Sequence, residues 1–287
     1  MKPSTFGYSR PESLEEALTT LDSLGTDGKV LAGGQSLLPI MSMRLAAPQH
    51  LVDINRLAEL AYVRVADGQV RVGALARHAA VLRDPDAAAA QPLLGQGLQM
   101  VAHATIRNRG TTVGSIVHAD PSGEMTAVLA LLGGTVRVAT AAGEREVAAE
   151  DFFLGPMESA VAPGELAVEA SFPVLDPAAG TAFVEVARRH GDYAVCGVAA
   201  HVQLGPDGAI SSARAAYLSV SATPVVLDLS EACGADGSGD VAGFVGDNLD
   251  PDPDIHATAD YRRQLAVVLT RRALAQAHKA ARERNAA

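Results

Sequence analysis

The sequence predicts an α+β fold in which a two-part N-terminal domain precedes a small α+β domain, a three-stranded sheet with helices. Three observations carry this. A helix pattern followed by strand, glycine turn, helix start and strand fills the beginning of the chain. A β-hairpin signature at Val63 to Val72 then opens a second region. Finally, a stretch rich in Pro, Ala and Gly, Pro177 to Gly180, precedes three strand-like runs and a long amphipathic helix. The expected division is residues 1–177, with parts at about 1–56 and 57–177, and residues 178–287.

In chain order, Ser13 and Glu16 have the spacing of a capping box, and Leu14, Ala17, Leu18 and Leu21 follow at helical intervals. The apolar pair Val30-Leu31 meets Gly33-Gly34, after which Gln35, Ser36 and an apolar run to Leu45 read as a helix opening. His50 to Ile54 reads as a strand. Val63, Val65, Val70 and Val72 alternate around Asp67-Gly68, the signal for a hairpin with a type I′ turn. His78 to Leu82 and Leu93 to Ala102 are helical in pattern, with an Ala-rich loop expected at Ala87 to Ala90. Gly110 to Met125 combines glycines with hydroxyl residues and leads into an apolar helix through Leu132. Val136 to Val138 and Arg145 to Val147 form a second hairpin at Gly143, followed by an acidic loop at Asp151 to Gly155. A turn at Pro163-Gly164 then leads into a strand. In the last third, Phe183 to Ala187, Val195 to Leu204 and Ala213 to Val220 read as strands, the last two joined by a turn at Gly205 to Gly208. Tyr261 to about Arg282 is an amphipathic helix whose basic last turn complements its dipole.

Composition excludes several classes of function. The chain has 287 residues, 48% of them apolar, enough to bury a sizeable core. Its formal charge is −10 and its basic residues are scattered except near the C-terminus, so it lacks the footprint of a nucleic-acid binder. The start has no signal-peptide core and no apolar run approaches the ~20 residues of a membrane span, which predicts a cytoplasmic protein. Cys196 and Cys233 stand far apart and in no CxxC, so neither a disulfide framework nor an iron-sulfur site is expected within this chain. Cys196, between Val195 and Gly197, reads as a small buried hydrophobe.

Two stretches suggest a ligand. Gly33-Gly34 lets the backbone come close to a bound group, and the free N–H groups of the following helix turn suit a diphosphate. An ordinary strand-to-helix turn needs the same residues. The second stretch, Gly110 to Ser115, has the same character, and two such loops could clamp one diphosphate from both sides. His118, Asp120 and Glu124 do not make a convincing metal set. A carboxylate at Asp120 or Glu124 suits a sugar or ribityl hydroxyl. Tyr193 suits either stacking on an aromatic ligand or a half-buried place in the core. No nucleophile-base-acid arrangement stands out.

Taken together, LAGGQSLLPIMSMRL, TIRNRGTTVGSIVHADPSGEM and RRHGDYAV, in this order and spacing, resemble the FAD-binding medium subunit of molybdenum hydroxylases, the carbon monoxide dehydrogenase and xanthine dehydrogenase family. The resemblance extends to FGYSRPESLEEAL, DFFLGP and PGEL. It implies a two-part FAD-binding domain of the p-cresol methylhydroxylase type followed by a small α+β C-terminal domain. By the same resemblance Ala32, Gly33, Gly34, Gln35 and Ser36 bind the FAD diphosphate from one side, and Thr111, Thr112, Val113, Gly114 and Ser115 approach it from the other. Glu124, with Asp120 nearby, takes the place of the acid that holds ribityl or ribose hydroxyls. Leu166 lines the cofactor and Tyr193 lies against the isoalloxazine.

The resemblance further implies an electron-transfer subunit. It would work beside a small [2Fe-2S] subunit and a large molybdopterin subunit, assembled as a dimer of heterotrimers, with substrate chemistry in the large partner. The alternatives are a self-sufficient flavin oxidase of the same fold and a non-catalytic nucleotide-binding module. The second loop departs from the family's Thr-Ile-Gly-Gly, with Thr112 and Val113 at the Ile-Gly pair, which puts one close backbone approach in question. HADPSGEM also differs from the asparagine-rich form of carbon monoxide oxidisers and favours an N-heterocycle or aldehyde as substrate of the complex.

Overall fold

The computed structural model describes residues 2–286. The first part holds β1 (Gly7–Ser9), α1 (Leu14–Leu24), β2 (Gly28–Leu31), α2 (Leu37–Ser42) and β3 (His50–Asp53). Its three strands are parallel in the order β1-β3-β2. Helix α1 starts as the capping residues require: Ser13 Oγ accepts from the Glu16 N–H at 3.1 Å. The Glu16 carboxylate reaches back one residue further than a capping box would, to the N–H of Glu12. Ala17, Leu18 and Leu21 are buried, so the helical stripe read from the sequence faces the core.

The second part opens with the hairpin β4 (Val63–Ala66) and β5 (Gln69–Gly73). Asp67 and Gly68 both have positive φ, 52° and 72°, as a type I′ turn demands. Six helices follow: α3 (His78–Arg83), α4 (Pro85–Ala90), α5 (Pro92–Met100), α6 (Ala104–Arg107), α7 (Thr112–His118) and α8 (Glu124–Leu132). The segment Ala87 to Ala90, expected as a loop, therefore belongs to helix α4. Pro85 stands in its first turn and Asp84 Oδ1 accepts from the Ala87 N–H at 2.8 Å, after which alanine sustains the helix.

Strands β6 (Thr135–Thr140) and β7 (Gly143–Ala148) form the second hairpin. The expected acidic loop is ordered instead as a helical turn, α9 (Ala149–Phe152), and a two-stranded ribbon, β8 (Phe153–Gly155) with β9 (Glu158–Ser159). Fully buried Phe152 ties it to the core. Strand β10 (Leu166–Pro173) completes an antiparallel sheet of order β4-β5-β10-β6-β7.

The last part contains β11 (Ala179–Ala187), β12 (Ala194–Leu204), β13 (Ile210–Leu218), β14 (Val225–Asp228), α10 (Ser230–Cys233), α11 (Val241–Asn248) and α12 (Ala259–Asn285). Its antiparallel sheet has four strands rather than the three expected. The extra one, β14, is a four-residue edge strand, Val-Val-Leu-Asp, without the alternation that marks a strand in sequence, and it pairs with β13 from Tyr217 to Arg214. Strand β11 also begins within the Pro177–Gly180 stretch.

One face of this sheet packs on α12 through Ala182, Val198, Ala200 and Ala215, while Phe183, Ala199, Ala216 and Leu218 join the core of the second part, where α5 and α8 lie. Burial on both faces explains why β12 reads as a nearly continuous apolar run. Cys196 is completely buried, and burial pushes its thiol up to about 12. Among the described residues no helix is long and apolar enough to cross a membrane.

Candidate functional site

Strand β2 delivers the chain to Gly33 and Gly34. Gly34 adopts φ 69°, the left-handed region in which a side chain is strained. Gly33 is required for another reason: a Cβ there would lie 2.5 Å from the Arg109 carbonyl oxygen and 2.7 Å from Gly110 Cα. The two glycine loops therefore touch through their backbones. Among the described residues, none accepts a hydrogen bond from the N–H of Gly33, Gly34, Gln35 or Ser36. Four adjacent donors are left for a ligand or water.

The second loop is more self-contained. Thr111 caps α7, its Oγ1 accepting from the Gly114 N–H at 3.2 Å, and its carbonyl accepts from Ser115 at 3.0 Å. The amides of Gly114 and Ser115 are thereby already engaged, unlike the free donors expected at this helix start. The loop's contribution is room: Gly114 is exposed and carries no side chain into the space in front of it. Val113 is 2% exposed and packs in the main core, and Gly114 lies at the surface in its stead. Thr112 is fully buried, its Oγ1 3.2 Å from His78 Nδ1 and its N–H donating to the Ala76 carbonyl.

Both loops open on one cleft of about 840 Å³. Ala32, Gly33, Gly34, Gln35, Ser36, Thr111, Val113, Gly114, Ser115, Asp120, Glu124, Leu166 and Tyr193 all line it. Thr112 alone among the expected site residues does not, because the inner side of the α7 first turn faces the core. Tyr193 is 65% exposed, which places it on the cleft wall and removes the alternative of a core residue.

Glu124, in the first turn of α8, is buried, and that burial, reinforced by the charge of Asp120, raises its carboxyl to about 7. Glu185 on β11 is raised by burial and by Glu124 to about 8. Burial likewise lowers His78 to about 4, so this imidazole is neutral.

Several residues that shape the site carried no sequence signal. Asn55, Arg77, His78 and Glu185 belong to no motif and reach the site only through the tertiary fold. Arg77 is bridged to Thr111, and the His78 N–H donates to the Gly110 carbonyl at 3.0 Å, so the α3 start buttresses the second loop.

Residues 4–175 match the family described as the FAD binding domain in molybdopterin dehydrogenase, and residues 181–277 match the CO dehydrogenase flavoprotein C-terminal domain. The chain belongs to this family of FAD-binding oxidoreductase subunits. It is 39% identical to the 6-hydroxypseudooxynicotine dehydrogenase complex subunit alpha of Paenarthrobacter nicotinovorans, covering 98% of this chain and 97% of that protein. It is also 39% identical to the caffeine dehydrogenase subunit beta of Pseudomonas sp. (strain CBB1), over 96% of each. Among solved structures, carbon monoxide dehydrogenase from Hydrogenophaga pseudoflava superposes with a TM-score of 0.90 at 33% identity, covering 99% of both chains.

FAD is the cofactor that this family carries, and the cleft fits it. The unpartnered amides of Gly33 to Ser36 offer donors to diphosphate oxygens, and bare Gly114 permits close approach from the opposite side. The volume lies within the range of small-molecule and cofactor sites.

Proposed function

We propose that this chain is the electron-transfer flavoprotein subunit of a molybdenum hydroxylase complex. It takes electrons from a small [2Fe-2S] partner and passes them to an external acceptor, while a large molybdopterin partner hydroxylates the substrate. The observation that carries this reading is the meeting of two sequence-distant glycine loops, with Glu124 and Tyr193, on one cleft. Bound FAD supplies a store for two electrons that can be filled and emptied one at a time. The chain's own residues bind and orient it.

In this reading the amides of Gly33 to Ser36 hold the diphosphate, and Thr111, Gly114 and Ser115 flank it. Glu124, assisted by Asp120, takes ribityl or ribose hydroxyls; as a protonated acid it both donates and accepts a hydrogen bond. Leu166 excludes water and Tyr193 covers the ring system. Val113 and Thr112 support the second loop from within. Residues 1–177 form the FAD-binding domain, in parts of about 1–56 and 57–177, and residues 178–287 the C-terminal domain.

The substrate of the complex is an N-heterocycle, an aldehyde or a similar small molecule. Relatives named for 6-hydroxypseudooxynicotine and caffeine dehydrogenation support the first of these. Purification with its partners tests the whole reading. The expected result is a yellow protein that releases FAD, accompanied by a cysteine-rich small chain and a large chain carrying molybdopterin. A chain that takes up no FAD in the presence of its partners refutes it.

A further inference from the structure

Behind the cleft wall, a hydrogen-bonded chain of side groups joins the two glycine loops. Asn55, just beyond the end of β3, donates from Nδ2 to the Ala32 carbonyl oxygen at 2.9 Å, on the first loop. Its Oδ1 accepts from Arg77 Nη2 at 2.6 Å. Arg77 Nη1 donates in turn to the Arg109 carbonyl oxygen, also at 2.6 Å, at the entrance to the second loop. That oxygen is the one Gly33 backs against.

Asp53 fixes the near end of this chain. Its Oδ1 accepts from the N–H and Nδ2 of Asn55, at 2.9 and 2.6 Å, while Oδ2 accepts from Tyr8 Oη at 2.5 Å. Burial pushes the Asp53 carboxyl up, but the bonds from Tyr8 and Asn55 outweigh it and hold the group below its ordinary value. Asp53 is therefore an anion at neutral pH and cannot release its partners by taking a proton. With its donors and acceptor so engaged, the Asn55 amide has one orientation, and the Arg77 guanidinium is used as a two-ended connector between an amide oxygen and a main-chain oxygen.

We propose that Asn55 and Arg77 are positioning residues for the FAD diphosphate, forming a clasp that holds the two loops at the separation the cofactor needs. This rests on the FAD reading above. Neither residue lines the cleft, so each acts through the loop it holds. The clasp complements the contact at Gly33: the glycine permits the loops to meet, and the clasp keeps them from parting.

The test uses the full chain and its Arg77→Ala, Asn55→Ala and double variants, titrated with FAD and followed by flavin fluorescence, together with the thermal midpoint of each apo form. Each single variant is expected to bind FAD about tenfold more weakly, the fold-change that loss of one charge-assisted hydrogen bond corresponds to. The double variant is expected to be little worse than either single, because both break one connection. Added guanidinium ion is expected to restore part of the affinity of Arg77→Ala and none of that of Asn55→Ala. Single variants that bind FAD within about twofold of the parent, or a double variant whose loss is the full product of the singles, overturn the clasp. If Arg77→Ala does not fold, Arg77→Gln, whose shorter side chain cannot span from the Asn55 amide to the Arg109 carbonyl, is read by the same criteria. A parent chain that binds no FAD even in the presence of its partners overturns the underlying functional reading instead, and the variants are titrated in that same assembled state.

Discussion

Gly33 and Arg109 are in backbone contact across the divide between the first and second parts of the chain, with room for no atom beyond the glycine Cα. A side chain at residue 33 would meet main-chain atoms, which cannot rotate away, so the loops themselves would have to separate. Gly33→Val is expected to abolish the visible flavin absorbance of the purified protein, with Gly33→Ala retaining part of it. Undiminished absorbance in Gly33→Val would mean that loop spacing does not govern cofactor retention.

Val113 stands where the family pattern has glycine, and although it borders the cleft its side chain is buried in the core. Val113→Gly, which restores the family pattern, therefore removes buried apolar surface and adds a flexible residue to α7. The expected loss of stability is roughly 2–2.5 kcal/mol, about 2 from burial and a few tenths from helix propensity, since valine is itself a weak helix former. FAD affinity is expected to stay at the parent level or fall. Urea unfolding and FAD titration of the variant measure the two quantities, and tighter binding would show that Val113 obstructs the site.

Much of this arrangement was legible in the sequence because its signals are local. Gly33-Gly34, Ser13 as a cap, Asp67-Gly68 and the stripe from Leu14 to Leu21 each declare a backbone conformation within a few residues. What stayed hidden depends on contact between distant residues. Asn55 and Arg77 matter only because the fold brings Ala32 and Arg109 beside them. Thr112 looks like its neighbours in sequence but faces inward, since a helix turns its successive residues to different sides. Strand β14 escaped because a four-residue edge strand acquires its identity from the partner it pairs with.

The two raised carboxyls give the folded chain a pH signature. Glu124 and Glu185 hold their protons up to about 7 and about 8, whereas unfolded carboxyls at the ordinary 4.5 have already lost theirs. Between these limits the unfolded state binds fewer protons than the folded one, so stability falls as pH rises from 4.5 towards 8. At about pH 6 this pair is expected to release about two protons on unfolding. Calorimetry in buffers of different ionisation enthalpy counts them, and a Glu124→Gln, Glu185→Gln variant is expected to release correspondingly fewer. An unchanged count would show that both groups are ionised in the folded chain. Glu185 contributes because its Oε2 is buried with no hydrogen-bond partner among the described residues, an arrangement that an anion tolerates poorly.

Tyr193 separates a role in cofactor binding from one in folding. The Gly191–Asp192 turn that precedes it is fixed by φ 79° at Gly191 and by an Arg189–Asp192 ion pair of 3.3 Å, so the backbone presents the ring independently of the ring's own packing. With the side chain largely exposed, Tyr193→Ala is expected to change the stability of the apo chain by no more than about 0.5 kcal/mol. Loss of stacking is expected to weaken FAD binding by about 1–3 kcal/mol, the range seen when an aromatic platform is removed from beneath a base. Flavin fluorescence in the complex is expected to rise as the quenching ring is removed. Tyr193→Phe keeps the aromatic face and is expected to retain most of the parent affinity, whereas equal weakening in both variants would assign the effect to the hydroxyl. Apo stability by urea unfolding, read beside FAD titration of the same preparations, tells these outcomes apart. A Tyr193→Ala chain that binds FAD with parent affinity and parent fluorescence would remove this residue from the cofactor site.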